Sequence, residues 1–299
     1  MFILFTPFSY LFLTVYLLVL FFILTLRNFY IFWLYIEVAM LLFMGLSYTI
    51  FAHRYTQLML YFLMQTLASF GILVFYTLGS DYLLYSALFL KLGIFPFISW
   101  YLNVLYRFPT FTLLIRRTLH KLPPLFLFYI IYNSSYTNFL LVSVLLSLLV
   151  GGLYMLTVLD LRYLIVVSSM ANNSFLLLGV MSGNLFRFSL FFTLYFFTML
   201  FLLATLKGLL KPLIYPFNIK YGITLFLVIM LLNIAAFPPL PIFLAKFLIL
   251  YDFLSINSLS YPFLVIVVLA NVSMMASYCQ LFIKFVTQVY SNSSLHLLH

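Results

Sequence analysis

Hydrophobic positions form long continuous runs along this chain, separated by short polar stretches. A helix that crosses a bilayer needs about 20 consecutive apolar residues, whereas a membrane β-strand alternates apolar and polar positions over about 10 residues. The continuous runs therefore predict membrane-spanning helices. The predicted spans are 3–26, 29–51, 57–79, 82–102, 111–132, 138–159, 163–183, 185–206, 221–251 and 262–287.

The ninth run is too long for one simple span and contains Pro238, Pro239 and Pro241. A proline in a helix removes one intrahelical hydrogen bond and kinks or breaks the helix. We interpret the run as one broken helix, with two short helices as the alternative. The predicted fold is all-α, a polytopic membrane protein of about 10–11 transmembrane helices.

Composition and charge agree with this fold class. Of the 299 residues, 67% are hydrophobic and only 6% are charged, whereas soluble domains carry about 25% charged residues. The net charge of +10 comes from basic residues scattered singly between apolar runs, a pattern typical of topology signals and not of a nucleic-acid surface. The only cysteine, Cys279, excludes an internal disulfide and a cysteine metal cluster.

Two features indicate how the chain reaches its membrane. The N-terminus enters an apolar run at once, so we expect no removable targeting segment. The abundance of Phe, Leu, Tyr and Ile, whose codons are rich in T and A, indicates a chain that is encoded in an organelle and inserted from inside it.

Basic residues in the loops predict an orientation. Loops after odd-numbered spans hold only Arg27 and Arg187. By the positive-inside rule, the N-terminus and the loops after even-numbered spans face the compartment of synthesis. The basic residues assigned to the even-numbered loops are Arg54, Arg107, Arg116, Arg117, Arg162, Lys207, Lys211 and Lys220.

Four ionisable residues lie inside the predicted spans: Glu37, Lys91, Lys121 and Lys246. A charged side chain at a helix centre costs about 2.5–3.5 kcal/mol on insertion scales. Such residues mark ion or proton pathways by default. As alternatives, each lysine extends to the membrane interface, and Glu37 is a buried protonated acid with a structural role.

Lys121 is the lysine for which the interface alternative is strongest. Arg116 and Arg117 lie only about one helical turn before it. A cluster of three basic residues is expected near the edge of a span, where long side chains reach the polar headgroups. Its depth therefore stays open at this point.

Two helix breaks each accompany a lysine. Gly93 and Pro96 follow Lys91, and Pro238 and Pro239 precede Lys246. When the chain is divided into residues 1–137 and 138–299, each half has five predicted helices and each break falls in the fourth helix of its half. Because five is an odd number, the two halves have opposite orientation in the membrane. Interrupted helices at corresponding positions of inverted repeats indicate a transport site.

A proton relay follows from this arrangement. Desolvation disfavours the charged form of a buried lysine, and a nearby carboxylate favours that form. If Glu37 approaches and leaves Lys91, the lysine would alternately hold and release a proton. Water-bridging polar groups are expected at His120, Ser168, Ser169, Asn172, Asn173 and Ser174. Ordinary interhelix hydrogen bonding is the alternative for the serine–asparagine cluster. No nucleotide or metal motif is present, so the driving energy must come from a partner chain.

A series of motifs points to a known family. In chain order they are Trp33-x-x-x-Glu37, Tyr61-Phe-Leu-x-Gln65-x-x-Ala68-Ser69, Lys91-Leu-Gly93-Ile-x-Pro96-Phe-x-x-Trp100, Lys121-Leu-x-Pro124 and Pro238-Pro239-Leu-Pro-x-Phe243-x-x-Lys246. This series, over about residues 30–250, resembles the NADH dehydrogenase subunit 2 family, one of the antiporter-like membrane subunits of mitochondrial respiratory complex I.

The resemblance implies a subunit of a proton-translocating NADH:ubiquinone reductase in the mitochondrial inner membrane, with its N-terminus and even-numbered loops in the matrix. It implies that Glu37 and Lys91 form the paired groups of the first half, that Lys121 is the bridging lysine, and that Lys246 serves the second half. It also implies that NADH, flavin mononucleotide, iron–sulfur clusters and ubiquinone belong to partner subunits and that this chain binds no cofactor, metal or nucleic acid. Other complex I membrane subunits and membrane lipids, with cardiolipin as a candidate, are the expected partners.

The chain departs from the family near its end. Only Thr287–His299 follow the tenth run, where many members carry another span. Three other functions stay open: a subunit of a multi-subunit cation/proton antiporter, a purely structural assembly subunit, and a self-sufficient transporter of small solutes.

Overall fold

The computed structural model describes residues 7–26, 28–50, 55–158, 160–209, 217–256 and 261–296. Across these ranges the chain is helical and has no β-strand, which confirms the predicted all-α class. The chain divides into two compact units, Met1–Val144 and Leu145–His299. The inverted repeat of residues 1–137 and 138–299 stays a prediction.

The first unit contains the helices from α1 to the start of α8. Within it, α1 packs against α2, α2 against α3, α3 against α4, and α4 against α7. Short 3-10 turns lie at Leu119–Lys121 and Ser134–Tyr136. The helices are α1 (Pro7–Ile23), α2 (Phe29–Ile50), α3 (Tyr55–Leu78), α4 (Asp81–Leu92), α5 (Ile98–Leu105), α6 (Thr110–Arg117), α7 (Leu122–Ile131) and α8 (Thr137–Thr157).

The second unit is built around α9. This helix packs against α10 and α12, α10 packs against α11 and α12, and α11 packs against α13. Because α9 is buried along most of its length, its polar side chains are held inside the unit. The helices that follow α8 are α9 (Leu161–Met181), α10 (Leu185–Leu209), α11 (Phe217–Ile234), α12 (Pro241–Ile256) and α13 (Tyr261–His296).

Within the described part of the chain, six helices are long and apolar enough to cross a membrane, which supports a multi-pass membrane protein. The first predicted span, 3–26, begins outside the described residues. The fourth, fifth and ninth predicted spans are each divided into shorter helices. The six long segments are Phe29–Ile50, Thr56–Leu78, Thr137–Thr157, Arg162–Met181, Leu185–Leu202 and Phe263–Leu281.

The break between α4 and α5 forms around Gly93. This glycine adopts the left-handed conformation, with φ 73° and ψ 43°, which residues with a side chain rarely adopt. The N–H groups of Gly93 and Ile94 both donate to the carbonyl of Phe89, at 2.8 and 3.0 Å, and close α4 in the manner of a helix C-cap. The carbonyl of Lys91 in the last turn of α4 is therefore available to groups outside the helix.

Replacing Gly93 by Ala is expected to destabilise the protein strongly. A left-handed residue with a side chain costs about 1–2 kcal/mol, and a Cβ at Gly93 would also collide with the ring of Tyr101. Gly79 is the matched control, because it has a similar φ of 67° and no neighbour within 4 Å of its added Cβ. Thermal unfolding should show a clearly larger loss for Gly93→Ala than for Gly79→Ala, and equal losses would contradict the steric part of this account.

The break between α11 and α12 is held by an asparagine. Ala236 has a positive φ of 57°, and α12 begins at Pro241, a position at which the missing N–H removes no intrahelical bond. The side-chain oxygen of Asn233 accepts a hydrogen bond from the N–H of Ile242 at 3.3 Å. This contact links the last turn of α11 to the first turn of α12.

A third break lies in the fifth predicted span, and the prediction of one continuous helix over 111–132 is wrong there. The chain leaves α6 at Thr118, with φ −114° and ψ −86°, passes through the 3-10 turn and starts α7 at Leu122. Pro123 and Pro124 stand in the first turn of α7. Their missing N–H groups and their rings exclude a continuous helix across this point.

Candidate functional site

The first unit brings Glu37 and Lys91 together. Lys91 Nζ lies 3.5 Å from Glu37 Oε1. The side chain of Lys91 is 2% exposed and that of Glu37 is 19% exposed. Glu37 extends from α2 and Lys91 from the last turn of α4. The lysine is inside the unit and does not extend to a surface. At this distance the ammonium and the carboxylate attract each other and form an ion pair.

The backbone carbonyl of Lys91 is itself a hydrogen-bonding centre. Arg116 Nη2 donates to it at 2.9 Å and Gln65 Nε2 at 3.3 Å. The guanidinium of Arg116 also lies 5.2 Å from the ring centroid of Tyr61, within cation–π range. Side chains of two helices, α3 and α6, therefore converge on the open end of α4 and fix the backbone that carries the Lys91 ammonium.

Arg116 and Arg117 are buried and are not loop charges, so their assignment to an even-numbered loop is wrong. They keep 1% and 0% of their exposure. For Arg116 the physical reason is the broken end of α4, whose free carbonyl and negative dipole end attract a cation. Arg107 and Arg162 are exposed as loop charges should be, whereas the side chains of Arg54, Lys207, Lys211 and Lys220 lie outside the described residues.

Lys121 ends the 3-10 turn between α6 and α7 and is fully buried. Its neighbour His120 is buried too, and its Nδ1 lies 3.1 Å from the hydroxyl of Tyr16 on α1. The charges of Arg117 and Arg116 both act on Lys121. The structure thus holds Lys121 in the interior, which does not fit a lysine that reaches the membrane interface.

The second unit holds Lys246 in a different environment. The ammonium lies 4.4 Å from the ring centroid of Phe175 on α9, and its side chain is buried. Among the described residues its Nζ has no hydrogen-bond partner. Lys91 is paired with a carboxylate, and Lys246 is held by an aromatic face instead.

The serine–asparagine cluster on α9 is entirely buried. Ser168 donates to a backbone carbonyl of its own helix, and Ser174 forms a 2.5 Å interhelix hydrogen bond with Ser147 of α8. Interhelix bonding therefore accounts for Ser174. The amide of Asn172, one turn before Phe175, has no hydrogen-bond partner among the described residues, and a buried polar site of this kind is suited to water.

Arg187 and Asp252 form a second ion pair, at the start of α10 and near the end of α12. Arg187 Nη1 also donates to the carbonyl of Leu248 at 3.2 Å. The two contacts tie α10 to the helix that carries Lys246. In the part of the chain that the structure describes, no group of three or more His, Cys, Asp or Glu side chains is placed to hold a metal ion.

Residues 75–274 match a family described as NADH:quinone oxidoreductase/Mrp antiporter, transmembrane region. This range is well over half of the 299 residues. The chain belongs to this antiporter family. The resemblance inferred from the motifs is thereby confirmed at the level of the family. The matched range includes Lys91, Lys121 and Lys246 but not Glu37, whose place in the site depends on its contact with Lys91.

Curated members of the same family support a more specific relationship. The chain is 30% identical over 183 residues to the NADH-ubiquinone oxidoreductase chain 2 of Sylvisorex johnstoni, covering 60% of this chain and 53% of that protein. It is 28% identical over 187 residues to the protein of that name from Anopheles gambiae, covering 62% and 54%. The chain spans about half the length of the curated relatives it matches.

Chains of two solved complexes share the fold. A chain of respiratory complex I from Thermus thermophilus with bound Aureothin matches with a TM-score of 0.78 and 20% identity, over 91% of this chain and 69% of that chain. A chain of the Mrp complex from Dietzia sp. DQ12-45-1b matches with a TM-score of 0.67 and 16% identity, over 84% and 55%.

Sequence reasoning assigned no site role to four residues that line these contacts. Gln65 and Tyr61 were visible only as motif positions, and Arg116 was counted as a topology signal. Tyr16 lies in an apolar run without any distinguishing neighbour. The signal that would have placed Arg116 correctly is the Pro123–Pro124 pair, since a helix start there puts the arginine at the end of a separate helix.

Proposed function

We propose that this chain is an antiporter-like membrane subunit of a respiratory NADH:ubiquinone oxidoreductase, and that it translocates protons across the mitochondrial inner membrane. The observation that carries this proposal is the Glu37–Lys91 ion pair at the broken end of α4, in a chain of the antiporter family. Ionisable residues inside a membrane are costly and rare, and where they occur they mark ion or proton pathways by default.

The first half of the relay uses Lys91 as proton carrier. With Glu37 close by, the carboxylate stabilises the ammonium and Lys91 holds its proton. When Glu37 moves away, the ammonium is left in a desolvated site and gives up its proton to the next group. We propose Lys121 as that group, in agreement with its burial beside His120 at the break between α6 and α7.

Lys246 is proposed as the proton carrier of the second half. It has no acidic partner in the described residues, and the contact that favours its charged state there is the face of Phe175. The unpartnered amide of Asn172 supports water beside this lysine. Such a site releases a proton readily, which suits the exit side of a relay.

The energy for transport is proposed to come from partner subunits. NADH oxidation, flavin, iron–sulfur clusters and ubiquinone would be located there, and this chain would respond through its helices. Other membrane subunits of the complex and lipids of the inner membrane, cardiolipin among them, are the proposed surroundings, with the N-terminus in the matrix.

A second candidate function is a subunit of a multi-subunit cation/proton antiporter. The family description includes Mrp antiporters, and the fold is similar to a chain of an Mrp complex. The similarity in sequence to proteins called NADH-ubiquinone oxidoreductase chain 2 favours the respiratory function.

The two functions differ in their driving force. In vesicles that contain the native purified complex, we expect proton uptake that starts on addition of NADH and ubiquinone and stops when either is left out. A sodium gradient without NADH should give no proton movement. Proton exchange driven by sodium alone would contradict the respiratory function and support the antiporter alternative.

A further inference from the structure

Arg116 has three contacts or interactions that meet at the proposed relay. Its guanidinium donates to the carbonyl of Lys91 at 2.9 Å and lies over the ring of Tyr61. It also interacts electrostatically with His120 and Lys121, which follow it in the 3-10 turn. Only 1% of the residue is exposed, so a permanent cation is enclosed in the first unit.

The burial of this cation is costly and needs a compensating role. A guanidinium does not lose its proton in a protein, so it cannot become neutral as a lysine can. The open end of α4 supplies partial compensation through the Lys91 carbonyl and the negative end of the helix dipole. Gln65 already donates to the same carbonyl, so satisfying that acceptor does not by itself require an arginine.

The charge of Arg116 acts on the neighbouring ammonium. Because like charges repel across a desolvated interior, a fixed cation attached to the backbone of Lys91 disfavours a second positive charge there. The Lys91 ammonium is then held chiefly by Glu37, 3.5 Å away. Any separation of Glu37 from Lys91 therefore leaves the lysine beside a repelling charge.

We infer that Arg116 is a positioning residue of the relay: it fixes the broken end of α4 by its hydrogen bond to the Lys91 carbonyl, and its permanent charge drives the proton off Lys91 when Glu37 withdraws. This inference rests on the proposed proton-relay function. Arg116 holds no proton of the relay itself and acts only through Lys91. It also links the break after α4 to the break after α6, since it lies in the last turn of α6, shortly before the turn that carries Lys121.

The inference predicts a change in the pH dependence of pumping. Without the fixed cation, Lys91 should keep its proton to higher pH, so the alkaline limit of the proton-to-electron ratio should move upward in Arg116→Gln. The contribution of this subunit to the ratio should fall by at least about twofold, the lower end of the range expected when a coupling residue is removed. The titratable and charged groups around this contact are Tyr16 on α1, Glu37 on α2, Tyr61 on α3, Tyr101 on α5, Arg117 on α6, and His120 and Lys121 in the turn.

Two further variants separate charge from hydrogen bonding. Arg116→Lys keeps the charge, so its alkaline limit should stay in place. A single ammonium cannot both donate to the carbonyl and cover the ring of Tyr61 as the planar guanidinium does, so the ratio should still fall. Gln65→Met removes the other donor to the same carbonyl without changing charge, and it should leave the alkaline limit unchanged. All ratios are measured on the assembled complex in vesicles, which removes differences in assembly.

The outcomes decide between the inference and the function on which it rests. A normal ratio and an unmoved alkaline limit in Arg116→Gln would overturn the inference, provided that Lys91→Met has lost pumping. Normal pumping by Lys91→Met would instead overturn the proposed function. If Arg116→Gln does not assemble, Arg116→Lys decides alone, and a fully normal ratio in that variant overturns the positioning role.

Discussion

Replacing Lys91 by Met is expected to abolish proton translocation through this subunit. The substitution keeps the approximate length of the side chain and removes the group that holds the proton. A barrier raised by only about 1.4 kcal/mol slows a step tenfold, and loss of the carrier in a desolvated site should raise it further. We expect NADH-driven proton uptake through this subunit, measured in vesicles, to fall by at least about tenfold.

The same substitution should have a moderate effect on stability. Removing one partner of a buried ion pair typically costs about 3–5 kcal/mol when the other charge stays buried. The side chain of Glu37 is 19% exposed, so its charge is not fully desolvated and the loss should lie at the lower end of that range. The complex should therefore assemble with a lower unfolding temperature. Undiminished pumping in an assembled complex would exclude Lys91 from the relay.

Replacing Lys246 by Met is expected to abolish proton translocation through this subunit and to leave the protein at least as stable as before. Lys246 has no hydrogen-bond partner in the described residues and lies against Phe175. Exchanging buried ionic groups for hydrophobic residues of similar volume is often neutral or stabilising by about 1–4 kcal/mol. A loss of function without a loss of stability is the signature of a residue retained for transport and not for folding.

The control for Lys246→Met is the same change at an exposed basic residue. Arg162 lies in the first turn of α9 and is exposed, and Arg162→Met should leave pumping unchanged. Thermal unfolding of each complex and proton uptake per NADH oxidised are the two measurements. A large fall in stability for Lys246→Met together with normal pumping would indicate a purely structural lysine and contradict its role as proton carrier.

The two variants together distinguish different electrostatic environments. Lys91 has a carboxylate partner, so its removal disturbs a pair, whereas Lys246 is held by an aromatic ring and its removal relieves an uncompensated charge. The expected order of unfolding temperature is therefore Lys246→Met above Lys91→Met, although both should lose pumping. An equal loss of stability in both would indicate that Lys246 has an acidic partner in the assembled complex.

Much of the fold followed from the apolar runs, because a lipid environment leaves the chain few alternatives to long helices. The breaks at Gly93 and at Pro238–Pro239 lie where glycine and proline predicted them. The apolar pattern does not indicate the break before Lys121, because Pro123 and Pro124 lie within one continuous apolar run. Proline is common at the start of a helix, so a proline in an apolar run indicates either a helix start or a kink inside a helix.

The site was less accessible to sequence reasoning because it depends on contacts between distant helices. The ionisable residues stand out by their cost in a membrane, which is why Glu37 and the three lysines could be named in advance. Arg116 looked like a topology signal, since charge counting does not distinguish an arginine in a loop from one that bonds the end of a helix. Gln65 is an ordinary polar residue until its partner, the Lys91 carbonyl, is known.

The most direct test of a single relay is the proton-to-electron ratio of the assembled complex with Lys91→Met, with Lys246→Met and with both substitutions. Groups that act in series fail together, so either single substitution should remove the contribution of this subunit and the double substitution should remove no more. A double variant that loses the sum of two partial losses would contradict the account, because it would mean that the two lysines serve independent pathways.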